Sequence, residues 1–368
     1  MDSCQLQQKR IRSKRTRMKD NSFNMNEKFK QYLPPHLPFE ASRLARAEET
    51  FALNRGQIMD IHGGYVLTNP DLLPSGGGHY NLNIDTETLD LFLLGDMGRA
   101  NLERQKVIKH ISDLCLLNTQ NKTSNLLFGL GDWMYPYGTI DHSSEEHIRA
   151  QETILDAMEP LAQKHSFYGI LGNHEYGDTS QGAVPEIFMN YAQRQGIQFP
   201  ERYYTLEVKA KTWIMDCFAL DTSTLACDAT QVQWLHAQVK QSLKKESETG
   251  QRRWRVIMGH HPIISYGFHF EENEFFIELL NNALKEIDLY CAGHEHDMQF
   301  IKPSNTNLPP IIVSGTISES RMTWEGPDSI LSSSNHGFAK VEVSKSGLCV
   351  EFHETKNHKR LFNSKVAS

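Results

Sequence analysis

The chain has 368 residues, 39% of them hydrophobic and 23% charged, with a formal net charge of −7. That balance excludes a disordered or fibrous chain, and no apolar run reaches the length of a membrane span. One large domain with a substantial core, preceded by an extension, is expected.

Residues 1–30 are read as a basic disordered tail. Lys9, Arg10, Arg12, Lys14, Arg15, Arg17 and Lys19 stand against Asp2 and Asp20, a local net of +5 that leaves −12 on the rest of the chain. Such a tail is expected to stay solvated rather than bind nucleic acid or an anionic membrane. No apolar segment follows it, so a secretory signal peptide is not expected; a cytoplasmic protein, or one exported by a non-classical route, is. Residues 31–85 read as an extension and linker, with the Pro-rich Tyr32–Pro38, a helical stretch over Ala41–Leu53 and the breaker Pro74-Ser75-Gly76-Gly77-Gly78. The glycines lack the Lys-Ser/Thr of a phosphate loop.

From residue 86 to 364 the pattern alternates strand and helix. Leu89–Leu94 runs into Gly95-Asp96-Met97-Gly98, and Leu102, Val107, Ile108, Ile111, Leu114 and Cys115 then give helical spacing. Asn125–Leu130 runs into Gly131-Asp132-Trp133-Met134-Tyr135, followed by a helix through Ile148, Leu155, Met158, Leu161 and Ala162 that Ser143 and Glu146 would open as a capping box. Phe167–Leu171 leads into Gly172-Asn173-His174-Glu175, Trp254–Met258 into Gly259-His260-His261-Pro262, and Leu289–Ala292 into Gly293-His294-Glu295-His296. Further helices are marked by Val232, Leu235, Val239 and Leu243 and by Phe276, Leu279, Leu280, Ala283 and Leu284.

One Gly-Asp is ordinary turn chemistry, but five apolar runs that each end in Gly and a metal-competent side chain form a pattern. Buried strands deliver such residues to their carboxyl ends, where α/β proteins place chemistry. The donors are carboxylate, amide, phenol and imidazole with no thiolate, a set that suits Fe, Mn or Zn. Seven ligands exceed the needs of one ion, whereas two ions sharing a carboxylate use them all. The six cysteines are widely spaced with no CxxC pair and read as reduced, buried or incidental thiols.

In order, GDMG, GDWMY, GNHE, GHHP and GHEH resemble the five metal motifs of the metallophosphoesterases, and the Tyr three residues after the second Asp resembles the purple acid phosphatase branch. Phe199-Pro200 with Tyr203-Tyr204, Ala219–Leu225, Thr230–Leu235 and Gly337–Glu342 are similar to tartrate-resistant acid phosphatase. The resemblance implies an α/β fold, the four-layer sandwich of two mixed β-sheets face to face flanked by helices. It implies a first metal held by Asp96, Tyr135 and His296, a second by Asn173, His260 and His294, and Asp132 bridging them. The metals would be Fe(III) with Fe(II), Zn or Mn, and the activity hydrolysis of a phosphate monoester, small molecule or phosphoprotein, by attack of a metal-held hydroxide. His174 would contact the phosphate or protonate the leaving oxygen, and His269 would line the substrate mouth. His79, His261, His336 and His353 are read as surface or satisfied core residues, and Glu175 as a ligand's partner or a plain surface turn.

Mammalian relatives carry a disulfide that starts near the position of Cys227, but no Cys falls near Glu274–Leu279 to complete it, which favours a reducing compartment. They also carry a repressing loop where Leu225–Thr230 is short here, so the site is expected to be open without proteolytic activation. A monomer is expected. Protein phosphatases of the serine/threonine type share GNHE, but place a metal-binding His where this chain has Gly98 and follow the second Asp with Asp-Arg-Gly. Those differences set this chain apart from that branch without excluding a phosphoprotein substrate, so a protein phosphatase or phosphodiesterase of the same superfamily, or a non-catalytic scaffold on this fold, is the alternative.

Overall fold

The computed structural model describes residues 60–61, 65–66, 73–177, 183–225, 227–269, 274–305 and 307–367. The tail, the Pro-rich stretch and the helix expected before residue 54 lie outside the described residues. A two-residue pair, β1 (Asp60–Ile61) with β2 (Tyr65–Val66), precedes the domain.

Two mixed sheets carry the fold. The first joins β3 (Gly78–Asn83), β8 (Tyr204–Lys209), β9 (Ile214–Ala219), β10 (Arg253–Met258), β11 (Leu289–Ala292), β13 (Ile311–Ser314), β12 (Met298–Ile301) and β14 (Ser329–Ser333), neighbours in that order. The second joins β7 (Ile197–Gln198), β6 (Ser166–Ile170), β5 (Ser124–Leu130), β4 (Leu89–Leu94), β15 (Gly337–Ser344), β16 (Gly347–Glu354) and β17 (Lys359–Ala367). In both, parallel strands occupy the centre, where β4, β5 and β6 pair with one another and β9, β10 and β11 do the same.

Central parallel strands are covered on both faces, so their sequences are apolar throughout and side chains divide by alternation. Leu89, Leu91 and Leu93 of β4 meet Met215, Cys217, Val256 and Met258 of the opposite sheet. Phe92 and Leu94 point the other way, under helix α1 (Leu102–Gln120) and the segment formed by α2 (Ser144–Ala150), a π-turn at Gln151–Leu155 and α3 (Asp156–Ala162). Helix α4 (Pro185–Arg194) covers the same face, while α5 (Ala229–Thr249) and α6 (Glu274–Leu284) cover the other sheet. The result is the expected four-layer sandwich. Among the described residues no helix is long and apolar enough to cross a membrane.

Two details differ from the sequence reading. The Gly76-Gly77-Gly78 breaker does not end a linker at residue 85; it enters β3, which pairs in parallel with β8 and completes one edge of the larger sheet. The strand has a half-buried, alternating sequence rather than an apolar run, which hid it. Ile148, expected inside, is 51% exposed, because the π-turn that follows shifts the helical phase.

A charged network fastens β8 and β9. Arg253 binds Glu207 and lies 2.6 Å from Asp216, which also accepts from Ser242 at 2.6 Å. Burial raises the Glu207 pKa, but Lys209 and Arg253 outweigh it and hold the carboxyl at about 2, below its ordinary 4.5. A depressed acid pKa contributes stability that is present above 4.5 and lost as pH falls through about 2. Chemical unfolding followed over that window should show a shallower acid loss in Glu207→Gln than in the wild type; identical slopes would exclude the network as the cause.

Candidate metal centre

The carboxyl ends of β4, β5, β6, β10 and β11 open onto one cavity at the edge of the sandwich. β4 is followed by Asp96, β5 by Asp132, β6 by Asn173, β10 by His260, and β11 by His294 and His296. Asp96, Asp132, His294 and His296 have φ of 58°, 56°, 73° and 54°. Left-handed backbone is uncommon outside Gly and costs on the order of 1–3 kcal/mol per residue, so it persists where surroundings enforce it. Here the loops brace one another: Asp96 N donates to Gly131 O at 3.2 Å, Gly98 N to Asp132 O at 3.1 Å, and Gly293 N to His260 O at 3.0 Å.

Trp133 anchors the second loop. Its ring is buried among Phe167, Phe188 and Phe199, and its Nε1 donates to Ile170 O at 2.8 Å. Burial of such a side chain stabilises by about 3–5 kcal/mol, which fixes Asp132 on one side of it and Tyr135 on the other.

The seven expected donors meet in two groups. In the first, the Tyr135 hydroxyl lies 3.1 Å from Asp96 Oδ1, 3.1 Å from Asp132 Oδ2 and 3.0 Å from His296 Nε2. In the second, His260 Nε2 lies 3.0 Å from Asn173 Oδ1, 3.3 Å from Asp132 Oδ1 and 3.2 Å from His294 Nδ1. Asp132 belongs to both, one oxygen to each. All but Tyr135, which is half-buried, are at least 95% buried. Asp96, Asp132 and His260 also satisfy the spacing of a cation site, as do His260, His261 and His294, with ligand atoms all within 4.8 Å. The donor set therefore fits metal ions. Backbone approach supports this: a Cβ at Gly172 would strike Asp132 Oδ1, and one at Gly315 would lie 2.6 Å from Asp96 Oδ2.

Electrostatics follow from crowding. Burial and the neighbouring Asp132 and Asp96 push the Tyr135 phenol well above its ordinary pKa, so the phenolate form needs a cation beside it. Burial lowers the His260 pKa, but Asp132 and Asp96 outweigh it and hold the imidazolium up to about 10. Burial and the imidazoles of His261, His269 and His260 push His294 well below its usual value, which keeps it in the neutral, ligating form.

Supporting residues orient the donors. Glu175 is fully buried and accepts from the backbone N–H groups of Asp132 (3.0 Å), Trp133 (2.7 Å), Met134 (3.2 Å) and Gly172 (2.7 Å), so it ties the second loop to the third. It is a buried partner of Asp132 and not a surface turn. His260 Nδ1 donates to Leu130 O at 2.7 Å, which turns Nε2 to the cavity. Glu319 Oε2 stands 3.5 Å from His296 Nδ1.

His174 and His269 frame the opening. His174 Nδ1 lies 2.6 Å from Pro136 O, and its Nε2 lies 3.8 Å from Asp132 Oδ2 with the side chain 29% exposed. The His269 ring stacks 4.5 Å from that of His294, and its Nε2 receives Arg321 Nη1 at 3.1 Å. His261, read as unremarkable, is buried, with Nδ1 2.9 Å from Thr222 Oγ1. Glu319 and Arg321 were missed altogether: they follow no strand-Gly pattern, and only the fold carries their loop to the cavity.

The profile of the calcineurin-like phosphoesterase family matches residues 60–298. The chain is 22% identical to purple acid phosphatase 17 of Arabidopsis thaliana over 255 residues, 65% of this chain and 70% of that one. It is 23% identical to purple acid phosphatase 4 of the same plant over 280 residues, 73% of this chain and 80% of that one. Among solved structures, "GAP50 the anchor in the inner membrane complex of Plasmodium" superimposes with a TM-score of 0.54 at 18% identity, covering 76% of this chain and 89% of that chain.

Proposed function

Since this chain belongs to the calcineurin-like phosphoesterase family, we propose that it is a dinuclear-metal phosphatase that hydrolyses phosphate monoesters. The observation that carries this reading is the pair of donor groups that share the two oxygens of Asp132. Asp96, Tyr135 and His296 would hold one ion, Asn173, His260 and His294 the other, and Asp132 would bridge. Fe(III) at the tyrosine with Fe(II), Zn or Mn beside it suits these donors. Two such ions supply the Lewis acidity that activates water and neutralises charge as a phosphoester bond breaks.

The chain's own residues do the rest. With Nδ1 donating to Pro136 O, His174 presents Nε2 to the cavity, where in its protonated form it donates to the leaving oxygen. His269, propped on His294 and held by Arg321, walls the opposite side. His174→Asn is expected to lower kcat about a hundredfold while both metals stay bound; unchanged turnover would remove His174 from the mechanism.

A scaffold reading draws on GAP50, the anchor in the inner membrane complex of Plasmodium. The convergence of all seven donors here favours catalysis. Metal analysis, together with turnover of an aryl phosphate, an aryl phosphodiester and a phosphopeptide panel, tests the proposal: two metals per chain with preference for the monoester is the expected result, and metal-loaded protein with no turnover would favour the scaffold.

A further inference from the structure

Two guanidinium groups stand at the cavity mouth and neither belongs to the donor set. Arg99 Cζ lies 5.1 Å from the centre of the Tyr135 ring. Arg321 Nη1 lies 3.1 Å from His269 Nε2, with its Cζ 5.2 Å from the Phe268 ring. Glu319 sits between them, 2.5 Å from Arg99 Nε and 3.9 Å from Arg321 Nε.

Their mounting is rigid. Arg321 N donates to His296 O at 2.8 Å. Arg99 N donates to Ser318 Oγ at 3.3 Å, Ser318 Oγ to Asp96 O at 2.5 Å, and Asn101 Nδ2 to Ser318 O at 2.6 Å. Both arginines are thus fixed to the main chain of the proposed ligands, while their side chains remain 51% and 27% exposed.

We propose that Arg99 and Arg321 form an anion clamp that receives the phosphoryl group of a monoester, and that Glu319 is the resident counter-ion whose place the substrate oxygens take. The clamp rests on the phosphatase reading above and explains how that site would choose among esters. Within this trio two cations stand against one carboxylate. A planar guanidinium matches phosphate oxygens in pairs, and the half-exposed Arg99–Glu319 pair is a weak one to give up. A monoester dianion offers terminal oxygens and charge to both arginines; a diester has one oxygen fewer to offer and half the charge. Leaving Glu319 in place against a diester penalises it further.

The test uses the full-length, metal-loaded protein, with inorganic phosphate as the calorimetric probe and an aryl phosphate and an aryl phosphodiester as substrates. Arg321→Gln and Arg99→Gln should each weaken phosphate binding roughly tenfold and raise the monoester KM by a similar factor, with the diester changed by less than about twofold. Glu319→Gln should tighten phosphate binding. Phosphate affinity unchanged in both arginine variants, or equal losses on both esters, would overturn the clamp and leave the phosphatase reading standing. A fall in melting temperature and metal content at unchanged phosphate affinity would assign the arginines to structure alone, and so also overturn it. Wild-type protein that binds two metals yet neither binds phosphate nor hydrolyses either ester would overturn the phosphatase reading itself.

Discussion

Replacement of Asp132 by Asn is expected to reduce turnover by roughly a thousandfold, the scale on which a preorganised electrostatic element acts. Asp132 is the sole donor common to both groups, with Oδ2 3.1 Å from the Tyr135 hydroxyl and Oδ1 3.3 Å from His260 Nε2. An amide has the same shape but carries no charge. It also presents one NH2, whose hydrogens would face an incoming cation. Metal content should fall below two per chain, and any visible band from an iron-phenolate pair should shift or vanish. Because the substitution is isosteric, and because Asp132 N and O are bound by Glu175 and Gly98, the fold should persist. Full turnover with two metals retained would sink the bridging role.

Glu175→Ala tests a different link, from packing to site. Removal of this carboxylate strands four buried N–H groups contributed by two loops. An unsatisfied buried donor costs on the order of 1–3 kcal/mol and such losses are not additive, so a fall of about 3–5 kcal/mol in unfolding free energy is expected. Metal affinity should drop roughly 10- to 100-fold, the range for residues that orient ligands. Denaturant unfolding and metal titration measure the two effects. Loss of stability with metal affinity intact would mean that the loops hold their ligands without Glu175.

Much of this arrangement is legible in the chain because buried parallel strands write themselves as apolar runs, and a Gly followed by a polar residue marks where each run stops. Asp96, Asp132, Asn173, His260 and His294 stand out for that reason. Tyr135 and His296 are found by their offsets from such positions. The Ser143 half of the capping box also forms, with its hydroxyl accepting from Glu146 N, but the Glu146 carboxylate turns instead to Ile140 N and Arg149. What escapes sequence is set by tertiary contact. Glu175 resembles a turn residue until four N–H groups are seen around it, and the left-handed backbone at four donors leaves no mark in residues that are not Gly. Arg321 and Glu319 lie more than two hundred residues after Asp96, and only the return of the chain from β13 brings them to it.

Strand β3 joins the rim of the larger sheet through residues that precede every one of the five donor motifs. Its partner β8 would otherwise show a bare row of amides and carbonyls, a template on which a second molecule could stack. With β3 in place the unpaired row passes outward from the buried β8 to a strand of alternating half-buried and exposed side chains, so the boundary of the sheet is drawn by residues upstream of the whole donor set.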